Sequence, residues 1–240
     1  MKSRGRRWHH VNCGHKLRNL GYSSARQNLI FQSTVRVRLL FFLSRVFMYP
    51  FKVGFVMDGN RRFARARGQP VIIGHTKGAE TASKVLEWWL RFIPNTSGYA
   101  AGTLPRYLTC WAFSSENFNR NSDERDALFQ LMAGEFKSLA FTSMVHLFQI
   151  RVQIIGSQRH RLPVELLDTI DMLQETTAMY DHLFLQIAVG YGGRDEIVTS
   201  VRRLVDQGTE ITEKNIGMET ECGKINVPPV DLIVRTSERR

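Results

Sequence analysis

Asp58 ends the run Lys52–Met57 (KVGFVM) and is followed by Gly59, Asn60, Arg61 and Arg62. A carboxylate at such a position is ionised at neutral pH, from a reference pKa of about 3.9. One carboxylate cannot cage a metal by itself. It can hold Mg²⁺ when the phosphate oxygens of a substrate complete the shell, because Mg²⁺ takes oxygen ligands and keeps few protein ones. The plainer alternative is an Asp-Gly turn capped by its own side chain. A second cluster, Gly74-His75-Thr76-Lys77-Gly78, is expected to open a helix, where free N–H groups favour an anion and His75 can donate to it. Arg61, Arg62, Arg65, Arg67 and Arg194 offer guanidinium forks that match phosphate oxygens, and the pattern places them at strand ends around one carboxylate.

Absent motifs narrow the field. There is no GxxxxGKS/T and no GxGxxG after the first strand, which argues against P-loop nucleotide hydrolases and dinucleotide enzymes. No Ser or Cys sits in a nucleophile elbow, and HExxH does not occur. Metal-assisted departure of a phosphate group is the chemistry left.

Strands and helices must hold these residues. Lys52–Met57, Arg106–Phe113, Ile150–Gly156, Leu183–Gly190 and Val230–Arg235 read as strands with nearly continuous apolar runs. Helices are expected over 75–92, over 123–148 with Ser122 as cap, over 163–179 and over 194–206, and a polar loop over 207–226. Alternation of this kind predicts an α/β fold, a central parallel sheet surrounded by helices. Ligands of open sheets sit beyond the carboxyl ends of the strands. The polar clusters 58–62, 114–117, 191–194 and 235–237 all fall there.

The chain has 240 residues and a formal charge of +11, which suggests nucleic acid until the charge is located. Eleven of the 33 basic residues precede Asp58, the first acid, so the 22 that follow balance the 22 acids. The body is neutral, and no nucleic-acid partner is expected. Residues 1–50 are read as a basic leader, either membrane-associating or targeting, with a helix over 35–49 whose arginines reach toward the interface. Residues 51–240 form the domain. Cys13, Cys110 and Cys222 are odd in number and far apart, so neither a disulfide framework nor a zinc site is expected.

The stretches FVMDGNRRFARARG (55–68), GHTKGAE (74–80), WAFSSENFNR (111–120), RVQIIG (151–156), IAVGYGGRDEI (187–197) and VDLIVRTS (230–237) together resemble one family. It is the cis-prenyltransferases, which include undecaprenyl diphosphate synthase and the eukaryotic dehydrodolichyl diphosphate synthase; MDGNRRFAR is similar to the eukaryotic branch. The resemblance implies a hydrophobic tunnel in the fold. It also implies Mg²⁺-dependent extension of an allylic diphosphate, such as farnesyl diphosphate, by cis addition of isopentenyl diphosphate to make polyprenyl diphosphate for dolichol synthesis. By the same resemblance Asp58 engages Mg²⁺ and the allylic diphosphate, while Gly59, Asn60, Arg61, Arg62 and His75 line the diphosphate site. Asn117 and Ser114 assist proton loss, Phe113 lies beside the reacting carbons, Phe118, Arg120 and Glu124 organise substrate, and Arg235 holds isopentenyl diphosphate. Leu86, Trp88, Trp89, Leu90, Leu128, Phe129, Leu131 and Met132 are tunnel candidates, with ordinary core packing as the alternative for each.

Two departures from the family pattern stand out. Val71 takes the place of a bacterial arginine, and after Arg235-Thr236-Ser237 the family's glycine, its binding serine and its closing segments do not follow; Arg239 or Arg240 approximates the second arginine. A C-terminally truncated, catalytically impaired fragment and a non-catalytic partner subunit are therefore the alternatives to an active transferase. The resemblance further implies a homodimer or a heterodimer with a related subunit, and peripheral contact with the cytosolic face of the endoplasmic reticulum membrane. Mitochondrial and cytosolic sites are the alternatives.

Overall fold

A computed structural model describes residues 52–91 and 105–237; the leader, the helix expected over 35–49 and the residues after 237 lie outside the described part. Among the described residues five strands make one sheet: β1 (Lys52–Val56), β2 (Tyr107–Ser114), β3 (Ile150–Ile155), β4 (Leu183–Tyr191) and β5 (Leu232–Arg235). Their order is β3-β4-β2-β1-β5, and every neighbouring pair is parallel. Parallel strands need crossovers, and helices supply them. Helices α1 (Asn60–Arg65) and α2 (Val71–Arg91) follow β1, and α3 (Ser122–Ala140) and α4 (Ser143–Leu147) follow β2. Helix α5 (Val164–Thr176) follows β3, and α6 (Gly193–Asp206), α7 (Glu213–Glu219) and α8 (Glu221–Lys224) follow β4.

Burial explains the apolar strands. Nearly every residue of β4 is buried, as expected for a strand covered on both faces. Register then sorts the two faces. Val53 pairs with Leu108 and Phe55 with Cys110, so alternation sets Leu108, Cys110, Ala112, Leu185 and Ile187 on one face. On the other face Thr109 Oγ1 donates to Gln186 Oε1 (3.2 Å) and Gln186 Nε2 donates to Gln153 Oε1 (3.3 Å).

Three expectations are corrected. Helix α2 begins at Val71 rather than His75, so Gly74 to Gly78 lie inside it and their amides do not form a free helix start. Pro70, the residue just before it, was the signal for that start. The helix expected over 123–148 is two: Asn121 rather than Ser122 caps α3, its Oδ1 accepting from Asp123 N at 2.8 Å, and α3 stops at Ala140. There Thr142 Oγ1 donates back to the Ser138 carbonyl (2.8 Å), and α4 starts afresh at Ser143. The polar loop over 207–226 contains α7 and α8, whose caps Thr212 and Thr220 accept from Asn215 N and Gly223 N.

Candidate active site

The site is assembled from strand ends. Asp58 lies two residues past β1, Ser114 closes β2, Tyr191 closes β4 and Arg235 closes β5. Asp58 N donates to Thr236 Oγ1 (2.9 Å), and that hydroxyl donates to the Asp58 carbonyl (2.8 Å), so the chain after β5 clamps the chain after β1. Gly59 follows with φ at 101°, a left-handed conformation natural to glycine. A Cβ there would also come within 3.1 Å of Ser237 Oγ.

Two carboxylates organise the charge. Arg235 donates to Asp58 Oδ2 through Nε (3.1 Å) and Nη2 (2.5 Å), and Arg62 Nη2 lies 3.2 Å from Asp58 Oδ1. Burial pushes the Asp58 carboxyl up, but the Arg235 and Arg62 guanidinium groups outweigh it and hold the pKa below 3.8. Glu124, in the first turn of α3, is the second centre. Its Oε1 receives Arg120 Nη1 (2.9 Å), His75 Nε2 (3.2 Å) and Arg61 Nε (3.4 Å). The Arg61 contact is an ion pair and not an aligned hydrogen bond, for that Nε is buried without a hydrogen-bond partner. Burial raises Glu124 as well, and His75, Arg120 and Arg61 together bring it below 4.5. His75 is 8% exposed, and burial depresses its pKa below 6.5 although Glu124 pulls the other way. The ring is therefore neutral at pH 7, and a proton on Nε2 is the tautomer that meets the carboxylate.

The two centres are bridged by α1, which carries Arg61 toward one and Arg62 toward the other. Glycine makes that bridge possible. A Cβ at Gly74 would lie 2.1 Å from the Asn60 carbonyl oxygen, and one at Gly78 would lie 2.3 Å from Asn60 Nδ2. The two glycines therefore seat α1 against α2, a different role from the anion cradle expected of them.

An apolar cavity of about 170 Å³ opens beside Asn60 and His75 and runs between the sheet and helices α2 and α3. Of the tunnel candidates, Leu86, Leu128, Leu131 and Met132 line it. Trp89, Leu90 and Phe129 are buried core instead, and Trp88 is not among the lining residues. Cys110 joins the wall, and burial pushes its thiol up to about 12, so it stays protonated and apolar.

The remaining expected residues divide. Phe113 is 1% exposed and stacks edge-on with Phe118 at 5.0 Å between ring centroids, with Phe129 at 5.3 Å. Ser114 and Asn117 are half-buried at the end of β2 and in the 3-10 turn Ser115–Asn119. The Gly192 turn packs onto that segment, where a Cβ would come 2.3 Å from Ser115 Oγ. Arg65, Arg67 and Arg194 are exposed and join neither carboxylate; Arg67 lies over the Phe63 ring at 3.7 Å. Sequence reasoning missed Thr236 as the clamp on Asp58, although its place directly after Arg235 was the available signal.

A parallel sheet whose strand ends carry guanidinium groups, above an apolar cavity, defines an α/β protein shaped for an amphiphile with an anionic head and a hydrocarbon tail. Comparison with known proteins agrees. The family model for undecaprenyl diphosphate synthase matches residues 56–240. A tritrans,polycis-undecaprenyl-diphosphate synthase (geranylgeranyl-diphosphate specific) of Thermoplasma acidophilum is 36% identical over 195 residues, covering 78% of this chain and 70% of the relative. An isoprenyl transferase of Aquifex pyrophilus is 37% identical over 191 residues, covering 78% and 75%. The crystal structure of lavandulyl diphosphate synthase from Lavandula x intermedia, in complex with dimethylallyl diphosphate, superposes with a TM-score of 0.67 at 27% identity over 80% of each chain. The chain belongs to the undecaprenyl diphosphate synthase family of cis-prenyltransferases.

Proposed function

We propose that this chain lengthens an allylic diphosphate by cis addition of isopentenyl diphosphate, with farnesyl diphosphate as starter and a long polyprenyl diphosphate for dolichol synthesis as product. The observation that carries this reading is the apolar cavity opening at Asn60 and His75, next to the guanidinium groups of Arg61, Arg62, Arg120 and Arg235. An allylic diphosphate has the same two halves. In the reaction the allylic C–O bond breaks, a carbon–carbon bond forms to isopentenyl diphosphate, and one proton is lost. The diphosphate leaves.

The donor set fits Mg²⁺ held jointly with a substrate. Among the described residues no group of three or more His, Cys, Asp or Glu gathers to cage an ion, and Asp58 is the acid nearest the arginine-lined mouth. A single carboxylate plus diphosphate oxygens is the arrangement Mg²⁺ takes in such sites. When bound, Mg²⁺ neutralises the departing diphosphate. Asp58 would anchor it, with Arg62 and Arg235 turning from that carboxylate to phosphate oxygens. Neutral His75, held by Glu124, presents its remaining edge to the mouth. Arg61 and Arg120 add positive potential that is worth most where water is excluded. The apolar wall from Leu108 to Leu128 keeps water from the allylic cation. Ser114 and Asn117 are the polar side chains we assign to proton loss. The same reading takes residues 1–50 as a leader that brings the enzyme to the cytosolic face of the endoplasmic reticulum, where a second copy or a related subunit joins it.

The test is incorporation of radiolabelled isopentenyl diphosphate with farnesyl or geranylgeranyl diphosphate as starter and Mg²⁺ present. Asp58→Ala is expected to lower incorporation by roughly 10²–10³-fold, the scale for losing one preorganised electrostatic group. Incorporation that survives both Asp58→Ala and chelation would refute the assignment.

A further inference from the structure

The cavity has a second edge, away from its mouth. Its lining descends α2 from Ala79 and Ala82 to Leu86, and two lining residues, Ser83 on α2 and Glu135 on α3, are exposed to solvent. Leu86, Leu131 and Leu139, also in the wall, are half-buried. Residues that belong at once to a cavity wall and to the surface mark an opening, and this one lies in the seam between α2 and α3. Deeper in, Trp89 and Leu90 fill the next turn of α2 at 1% and 2% exposure, with Trp89 Nε1 pinned to the Pro105 carbonyl at 2.7 Å. The floor is closed and the flank is not.

Size makes the difference matter. The enclosed space is about 170 Å³. An apolar cavity of about 150 Å³ holds one benzene, six carbons. The space beneath the mouth thus takes about one isoprene unit and little more. A longer tail either pushes the floor open or leaves by the flank. Pushing the floor means displacing close-packed Trp89 and Leu90. Leaving by the flank requires only passage between Ser83 and Glu135, with leucines on either side to cover the tail.

We propose that the isoprenoid tail leaves the cavity sideways through the α2–α3 seam, so that each unit beyond the first one or two passes Ser83 and Glu135. The proposal rests on the prenyltransferase reading above and adds the path of the chain. Glu135 gives the path its boundary: an ionised carboxylate cannot be buried unpaired against hydrocarbon without a large cost, so the tail meets water or an apolar acceptor there. Product length is then set by how the emerging tail is received, and not by the depth of a closed pocket.

Labelling a cysteine in the seam tests the path directly. Full-length Ser83→Cys is treated with a polar maleimide in Mg²⁺ and saturating ligand, and alkylation of residue 83 is followed by peptide mass spectrometry. Geranylgeranyl diphosphate, with twenty carbons, is expected to slow alkylation roughly tenfold, in the manner of other local protection. Inorganic pyrophosphate and five-carbon dimethylallyl diphosphate are expected to leave it unchanged. An unchanged rate with calorimetrically bound geranylgeranyl diphosphate overturns the lateral path while leaving the prenyltransferase reading intact. Prenyl diphosphates that bind no better than pyrophosphate overturn both. Should Ser83→Cys fold poorly, Glu135→Cys reads the opposite lip of the seam with the same outcomes.

Discussion

Glu124 shows how a single acidic residue can hold a cationic site together. Three groups converge on one of its oxygens, and the side chain is only 15% exposed, so removing it leaves Arg61 and Arg120 facing each other with little water to screen them. Breaking a buried pair in this way costs about 3–5 kcal/mol, and the lower end suits a partly exposed group. Glu124→Ala is therefore expected to lower Tm by roughly 6–12 °C for a chain of this size, read by calorimetry. A loss under about 2 °C would mean that the three partners find other company. The same residues set the acid limit. The folded-state pKa values of His75, Glu124 and Asp58 are depressed below 6.5, 4.5 and 3.8 respectively. The unfolded chain therefore binds more protons than the folded one below each of those values, and stability rises with pH there. Tm should be flat above pH 7, begin to fall below 6.5 as the buried imidazole resists protonation, and fall further below 4.5. His75→Gln should remove the first step and keep the second. A Tm that climbs between pH 6.5 and 5 would contradict the assignment.

Among the elements, α2 carries the clearest lesson. Its start at Val71 runs against propensity, because three β-branched residues precede Gly74. Contact with α1 wins over propensity: Gly74 and Gly78 are the only side-chain-free positions on that face, and Asn60 occupies the space over both. Gly74→Ala would drive a methyl group into the Asn60 backbone oxygen, which cannot rotate away, whereas Gly78→Ala meets the far end of a side chain that can. Gly74→Ala is expected to cost about 1–3 kcal/mol or more by overpacking, measured by urea unfolding. Gly78→Ala should cost less stability yet displace Asn60 at the cavity mouth and weaken prenyl diphosphate binding. Equal destabilisation by the two would show that α1 yields as a unit. The strands were legible because apolar runs of that length have few other uses. The break at Ala140 and the short helices α7 and α8 were not. They depend on hydroxyl caps at Thr142, Thr212 and Thr220 that read equally well as loop residues.

For the molecule as a whole, the metal and the fold should separate. Among the described residues nothing gathers into a structural metal site, so chelation is expected to abolish turnover while Tm moves by less than about 1 °C. A Tm that falls with chelator would reveal an ion that the fold itself needs. The parallel sheet, the neutral body behind a basic leader and the placement of Asp58, Ser114, Tyr191 and Arg235 at strand ends could all be read from residue order. Strand periodicity and the carboxyl-end rule are local statements that need no partner across space. The pairing of Arg235 with Asp58 across 177 positions, the gathering of three cations on Glu124 and the helix-seating role of Gly74 and Gly78 could not. Neither could the division of apolar helix residues into cavity wall and core, which left Leu86 in one and Trp89 in the other. Helical periodicity marks one apolar face but does not say whether matter or space lies against it, and that depends on how three layers meet.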